Sequence, residues 1–107
     1  MEKYTKEEQR QNRDRWAAVL RSGKFMQVYR ALYDGKNGRC VMGVGIETMK
    51  EDNVIPETNR CIEAYYGMTS FAIGDLTRDN DAGFTFNSLA IRIDSINLQE
   101  ERIRREG

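Results

Sequence analysis

The chain has 107 residues, with 17 basic and 17 acidic side chains and no histidine. That length suits one domain, 1–107, able to build a core without disulfide or metal staples. Balanced charge gives no general pull on nucleic acid or an anionic membrane, and the missing histidine removes the usual general base, every histidine-dependent triad and the commonest zinc ligand.

Thr5-Lys6-Glu7-Glu8 reads as a capping box that starts a helix. The helix is polar through Gln9, Arg10, Asn12, Arg13 and Asp14, gains an apolar face at Trp16, Val19 and Leu20, and stops at Gly23. Its first half is expected to be solvated or to face a partner, and its second half to dock on the core. Lys24 to Tyr33 alternates loosely and is rich in aromatic and branched residues, which predicts a strand. Asp34-Gly35-Lys36-Asn37-Gly38 doubles the hairpin-turn signal, so Arg39 to Met42 is expected to return antiparallel. Gly43-Val44-Gly45 then leads into a short helix at Ile46 to Glu51. A further helix is predicted from Glu57 to Tyr66, stopped by Gly67, and a short third strand at Thr69 to Ile73, where Phe71 and Ile73 alternate.

Asn80-Asp81-Ala82-Gly83 is rich in turn formers. Thr85 is placed to cap the final helix, with Phe84 and Leu89 at hydrophobic-staple spacing. Phe86, Leu89, Ala90, Ile93 and Ile96 form its buried face. Beyond Ile96 only Leu98 and Ile103 remain apolar, and Glu100/Arg104 and Glu101/Arg105 have ion-pair spacing. The fold expected is α+β: an N-terminal helix, a small antiparallel sheet made of a hairpin with a third strand, and two or three further helices, the last one long. Residues 1–12 and 98–107 are read as exposed or frayed helical ends, and the Leu98/Ile103 edge as a homodimer contact.

Three segments resemble a group of small bacteriophage and bacterial proteins of uncharacterised function. Arg21-Ser22-Gly23-Lys24-Phe25-Met26-Gln27 resembles its Arg-Ser-Gly-Lys-aromatic-x-Gln segment. Cys40-Val41-Met42-Gly43-Val44 is similar to its Cys-Cys-Leu-Gly-Val segment, with Val41 in place of the second cysteine. Asn80-Asp81-x-Gly83-x-Thr85-Phe86-x-x-Leu89-Ala90-x-x-Ile93-Asp94 resembles its Asn-Asp-x-Gly-x-Ser-Phe-x-x-Ile-Ala-x-x-Ile-Glu ending. The resemblance covers roughly residues 16 to 94, implies a phage or bacterial origin and brings no catalytic residue with it.

Each chemical motif has a plainer structural reading beside it. Gly43-x-Gly45, between a predicted strand and a predicted helix, is placed to let amides approach a phosphate, but the third glycine of a dinucleotide loop is replaced by Thr48, and tight packing explains the pair as well. Asp75, Asp79 and Asp81 are hard-cation ligands by type. Counted from Asp79, however, an EF-hand loop fails at Gly83 and Ala90, which favours a turn and cap cluster. Cys40 as a nucleophile lacks a histidine base, and Cys40 and Cys61 read as reduced, buried thiols. Arg10, Arg13, Arg15 and Arg21, like Arg102, Arg104 and Arg105, are interleaved with acids, which reads as a solvated face and argues against a nucleic-acid partner. The aromatic set Tyr29, Tyr33, Tyr65, Tyr66, Phe71 and Phe84, with Arg30, Arg39, Arg60 and Arg78, has the composition of a base-stacking, phosphate-holding pocket, or of core aromatics beneath surface arginines.

The function expected is non-enzymatic: a phage-type accessory binding protein acting on the host from its cytoplasm, sequestering a nucleotide-type signal as a counter-defence. The ligand residues this reading selects are Arg39, Gly43, Gly45, Tyr65, Tyr66, Arg78, Asn80 and Thr85. No cofactor, metal or membrane enters it. A protein inhibitor or adaptor using the charged terminal helices is the alternative, and a metal-dependent hydrolase built on Asp75, Asp79 and Asp81 the third.

Overall fold

A computed structural model of the chain describes residues 3–106. Local signals set most helix ends. At the start of α1 (Lys6–Ser22) the Glu8 amide donates to Thr5 Oγ1 at 3.0 Å and the Thr5 amide to Glu8 Oε1 at 2.8 Å, completing the capping box. Gly23 closes the helix in the left-handed region, at φ 76°. Gly67 does the same for α3 (Asn59–Tyr66), at φ 62°. The Ser88 amide donates to Thr85 Oγ1 at 3.1 Å to open α5 (Phe86–Glu106). With α2 (Val41–Glu51) and α4 (Ser70–Asp81) the described residues form a mostly helical α+β structure with a long C-terminal helix.

The expected strand at Thr69 to Ile73 is instead the first turn of α4. Thr69 Oγ1 accepts the Ala72 amide at 3.1 Å, a capping contact that commits the segment to helix. Phe71, whose alternation with Ile73 suggested a strand, is left 85% exposed on the helix surface. Asn80 and Asp81 consequently belong to the last turn of α4, and the chain turns at Ala82 and Gly83, where Gly83 has φ 102°.

The sheet corrects a second expectation. It has two strands, β1 (Met26–Gln27) and β2 (Gly38–Arg39), and they run parallel, Met26 opposite Gly38 and Gln27 opposite Arg39. One reversal between them was expected, and two occur. The Asp34 to Gly38 turn does fold the chain back, since Tyr33 bridges Arg39 in antiparallel sense and the Cys40 amide donates to the Leu32 carbonyl at 3.2 Å. An earlier reversal at Arg30, which sits at φ 61°, has already broken the predicted strand. The α4 terminus dictates this bend: Asp81 Oδ1 accepts the Arg30 amide at 2.7 Å and Asn80 Nδ2 donates to the Val28 carbonyl at 2.9 Å.

Helix α1 is the element that the others pack around. Pairings of Arg21 with Asp94 at 2.5 Å, Asn97 with Asp14 at 2.6 Å and Arg13 with Glu100 at 2.7 Å show α5 lying antiparallel along it. Its polar first half is not simply solvated. Gln9, Asn12 and Arg13 donate to the successive carbonyls of Ala64, Tyr65 and Tyr66 at 2.9, 2.8 and 2.7 Å, meeting acceptors that the end of α3 leaves open. Arg13 is fully buried, and its Nε also donates to Asn97 Oδ1 at 2.8 Å. The apolar half meets the core at Trp16, Ala17 and Leu20, with Val41, Val44, Met49, Ile62, Tyr65, Tyr66, Leu89 and Ile93. Among the described residues no helix is long and apolar enough to cross a membrane.

Two measurements check this account. Arg13→Ala strands the Tyr66 carbonyl and the Glu100 carboxylate and is expected to lower unfolding free energy by about 3 kcal/mol in a denaturant titration. Tyr66, whose hydroxyl donates to the Gly45 carbonyl at 2.6 Å, is pushed above the ordinary tyrosine range mainly by burial and next by Tyr65. Its protonated form is therefore favoured by folding. The stability this contributes is present below the unfolded tyrosine pKa of 10.0 and lost as pH rises beyond it. Stability measured from pH 8 to 11 is expected to fall steeply above about pH 10, and less steeply in Tyr66→Phe, which starts about 1–2 kcal/mol lower at neutral pH.

Candidate functional site

The segment from Lys24 to Arg39 has almost no regular structure, yet its backbone is held at several points. Asn37 Nδ2 donates to the Lys24 carbonyl at 2.9 Å, the Met26 amide to the Asn37 carbonyl at 3.1 Å and the Val28 amide to the Arg39 carbonyl at 3.0 Å. The Asp34 carboxylate accepts the amides of Lys36 and Gly38 at 2.8 and 2.9 Å, in that order the leading causes of its lowered pKa. Gly38 is required here, because a Cβ would stand 2.5 Å from the Val28 side chain and 2.6 Å from the Asp34 carboxyl.

Asn80 is the anchor of the segment. It is fully buried, and its side chain joins three parts of the chain. Oδ1 accepts Gln27 Nε2 at 2.9 Å and the Val41 amide, at the start of α2, at 3.0 Å. Nδ2 serves the Val28 carbonyl. Gln27 extends the link to the Phe84 carbonyl at 2.7 Å, tying β1 to the turn before α5.

What this scaffold presents is apolar. Met26 is 70% exposed, Tyr33 62%, Tyr29 52% and Leu32 50%, with half-exposed Phe84 on the bordering turn. Arg39 sits beside two rings of the segment. Its guanidinium lies 5.0 Å from the Phe25 ring centre and 5.2 Å from that of Tyr33, with Nε 3.5 Å from the Glu47 carboxylate. Leu32, Tyr33, Arg39, Gly43 and Ile46 line a shallow depression of about 140 Å³ beside it.

The residues selected from the sequence do not converge on one pocket. Arg39 and Gly43 share the depression just described. Gly43 and Gly45 lie inside α2, which begins at Val41 rather than Ile46, so the loop expected to cradle a phosphate is helix. Both glycines answer a packing demand: a Cβ on Gly43 would stand 2.2 Å from the Leu32 carbonyl oxygen, and one on Gly45 3.0 Å from the Trp16 ring. Tyr65 and Tyr66 are core residues, stacked edge to face at 4.8 Å. The Tyr65 hydroxyl is engaged by Arg15 and by Asp52, the latter at 3.1 Å. Arg78 stands at the surface, paired with Asp75 at 3.0 Å and facing Asp79 at 3.7 Å. Asn80 is structural and Thr85 is a helix cap. Of the three aspartates weighed as cation ligands, Asp79 also binds Arg92, and Asp81 holds the Arg30 amide.

The aromatic set divides in the same way. Tyr65 and Tyr66 go inward, while Tyr29, Tyr33, Phe71 and Phe84 remain outside. Met26 and Leu32, read as one side of a strand, are the members of the exposed face that sequence reasoning missed. The density of Asp, Asn and Gly at 34–38 was the available signal that this stretch is an anchored loop. A larger cleft, of about 310 Å³, lies elsewhere, lined by Tyr4, Val54, Ile55, Glu57 and Cys61, and contains none of the selected residues. Cys40 is buried and caps α2, its sulfur accepting the Gly43 amide at 3.4 Å. Comparison with protein-family models, curated proteins and solved structures finds no match to this chain.

Asn80→Ala removes the partners of the Val28 carbonyl and the Val41 amide together. It is expected to lower stability by about 2–4 kcal/mol. Hydrogen exchange should show the Val41 amide losing protection well before the Trp16 and Leu20 amides of α1.

Proposed function

We infer that the chain is a non-enzymatic binding protein that engages a protein partner through the exposed face of residues 24–39. The observation that carries this reading is the combination of a firmly held backbone with outward apolar side chains at Met26, Tyr29, Leu32 and Tyr33. Scattered exposed apolar residues are ordinary on a protein surface; several gathered on one anchored segment are the signature of a contact patch. Tyrosine, methionine and arginine are the residue types enriched at interface centres. Loops positioned by a rigid scaffold are where binding residues concentrate. The resemblance to small phage and bacterial proteins supports a host protein as the partner. The face differs from the charged terminal helices that the sequence suggested for an adaptor, because Gln9, Asn12 and Arg13 of α1 are spent on α3.

Sequestration of a nucleotide-type signal is the second reading. Its support is Arg39, a cation between two aromatic rings beside a small depression.

The test compares wild type with Leu32→Asp and Tyr33→Ala in crosslinking and capture from bacterial lysate. Both variants are expected to keep their melting temperature within a few degrees, since neither side chain is buried. Both should lose the captured protein by roughly tenfold or more. Capture unchanged by both variants would overturn the face. Thermal stabilisation by a nucleotide, with the ligand recovered intact on heating, would move the reading to sequestration.

A further inference from the structure

Independently of that reading, we propose that a cleft where α2, α3 and α4 meet binds a small aliphatic primary amine in its ammonium form. Gly74 leads to it. Glycine inside a helix weakens that helix, so it needs a reason to be there. The other glycines described have one. Gly23, Gly35, Gly67 and Gly83 sit at positive φ, and Gly38, Gly43 and Gly45 have neighbours where a Cβ would stand. Gly74 has neither. It lies inside α4 without a positive φ, and a Cβ there would meet nothing within 4 Å. What a Cβ would change is the cleft, of about 250 Å³, that Gly74 lines. The chain gives up helix stability at a position where the gain is open space, the trade expected of a binding site.

The lining selects the occupant. Met42 of α2, Ile62 of α3 and Ile73 of α4 give aliphatic walls, and Glu63 brings a half-buried carboxylate. Among the described residues no hydrogen bond or ion pair reaches that carboxylate. Arg60, three positions earlier on α3, is exposed, does not line the cleft and makes no ion pair with it. Among the described residues no basic and no aromatic side chain lines the cleft. An anion would find no counter-charge there and a nucleobase no ring to stack on. An alkylammonium would meet Glu63 with its charge and the walls with its chain. Asn59 and Ser70, also in the lining, can accept the ammonium hydrogens that remain. The volume falls below the range of about 300–1,000 Å³ usual for drug-sized ligands, so the amine is small. The cleft shares no residue with the depression beside Arg39.

The probe is n-pentylamine at neutral pH, titrated into the full chain beside pentan-1-ol and pentanoate and followed by backbone amide chemical shifts. The amine should shift the amides of Glu63, Ile73 and Gly74 saturably, with the millimolar dissociation constant that so few atoms allow. The alcohol and the carboxylate should bind about tenfold more weakly or not at all. Glu63→Gln should weaken the amine about tenfold. Gly74→Leu should abolish binding while raising the melting temperature by several degrees, a combination that damage to the fold cannot produce. No saturable shift at these amides would overturn the site, and so would amine binding unchanged in Gly74→Leu. A Gly74→Leu chain that melts below wild type would show that the fold itself needs the space, and would overturn it too. Equal binding of the three probes, or amine binding unchanged in Glu63→Gln, would overturn the ammonium preference. Tighter binding of Nα-acetyl-lysine methylamide than of pentylamine would replace the free amine with a lysine side chain of a partner protein.

Discussion

One buried side-chain amide holds the irregular half of this protein in place. Asn80 is out of contact with water, so a lost partner would leave a polar group unmet in a low-dielectric interior. It has partners on both of its ends. The α2 terminus, the β1 strand and the Val28 carbonyl are all fixed relative to α4 by that one group. Glutamine would place the amide one methylene further out, and aspartate would lose the donor that Val28 needs. Two strands of two residues each cannot hold themselves. Their geometry is inherited from the helix that carries Asn80.

The same logic places charge inside the helical half. Helix α3 has eight residues and ends against α1, where its last carbonyls would be shielded from water. Three side chains of α1 reach those carbonyls, and Arg13 continues to Asn97 and Glu100 on α5. A guanidinium suits this position because its fork presents several donors at once. Among the described residues no buried side-chain nitrogen or oxygen lacks a hydrogen bond. The polar character of α1 that looked like solvation is the means by which three helices are joined.

This explains which parts of the structure were legible in the sequence. Thr5, Gly23, Gly67 and Thr85 work through neighbours three or four residues away, so their roles could be read directly. Trp16, Leu20, Leu89 and Ile93 follow the helical period and are buried as that period requires. What could not be read depends on contacts distant along the chain. Gly43 and Gly45 looked like a loop because glycine is a poor helix former. They are glycines because the Leu32 carbonyl and the Trp16 ring stand where side chains would go. The strand expected through Tyr33 ends early because Asp81, about fifty positions on, takes the Arg30 amide. Residue type does not separate Tyr29 from Tyr65, and the scaffold decides that one faces outward and the other the core.

That division bears on what the exposed face is for. A segment free to relax would turn Leu32 and Tyr33 inward, because burying a large apolar side chain is worth about 1.5–3 kcal/mol. Residues 24–39 are not free to relax. Asp34, Asn37, Asn80 and Asp81 hold the amides of Arg30, Lys36 and Gly38 and the carbonyls of Lys24 and Val28, which pins the path of the chain. The fold thus uses buried and half-buried polar contacts to hold apolar side chains in water, an arrangement that opposes its own stability. A binding surface has this property before its partner arrives. Rigidity then lowers the ordering entropy still to be lost on association, so that an apolar contact of modest area retains more of its free energy as affinity.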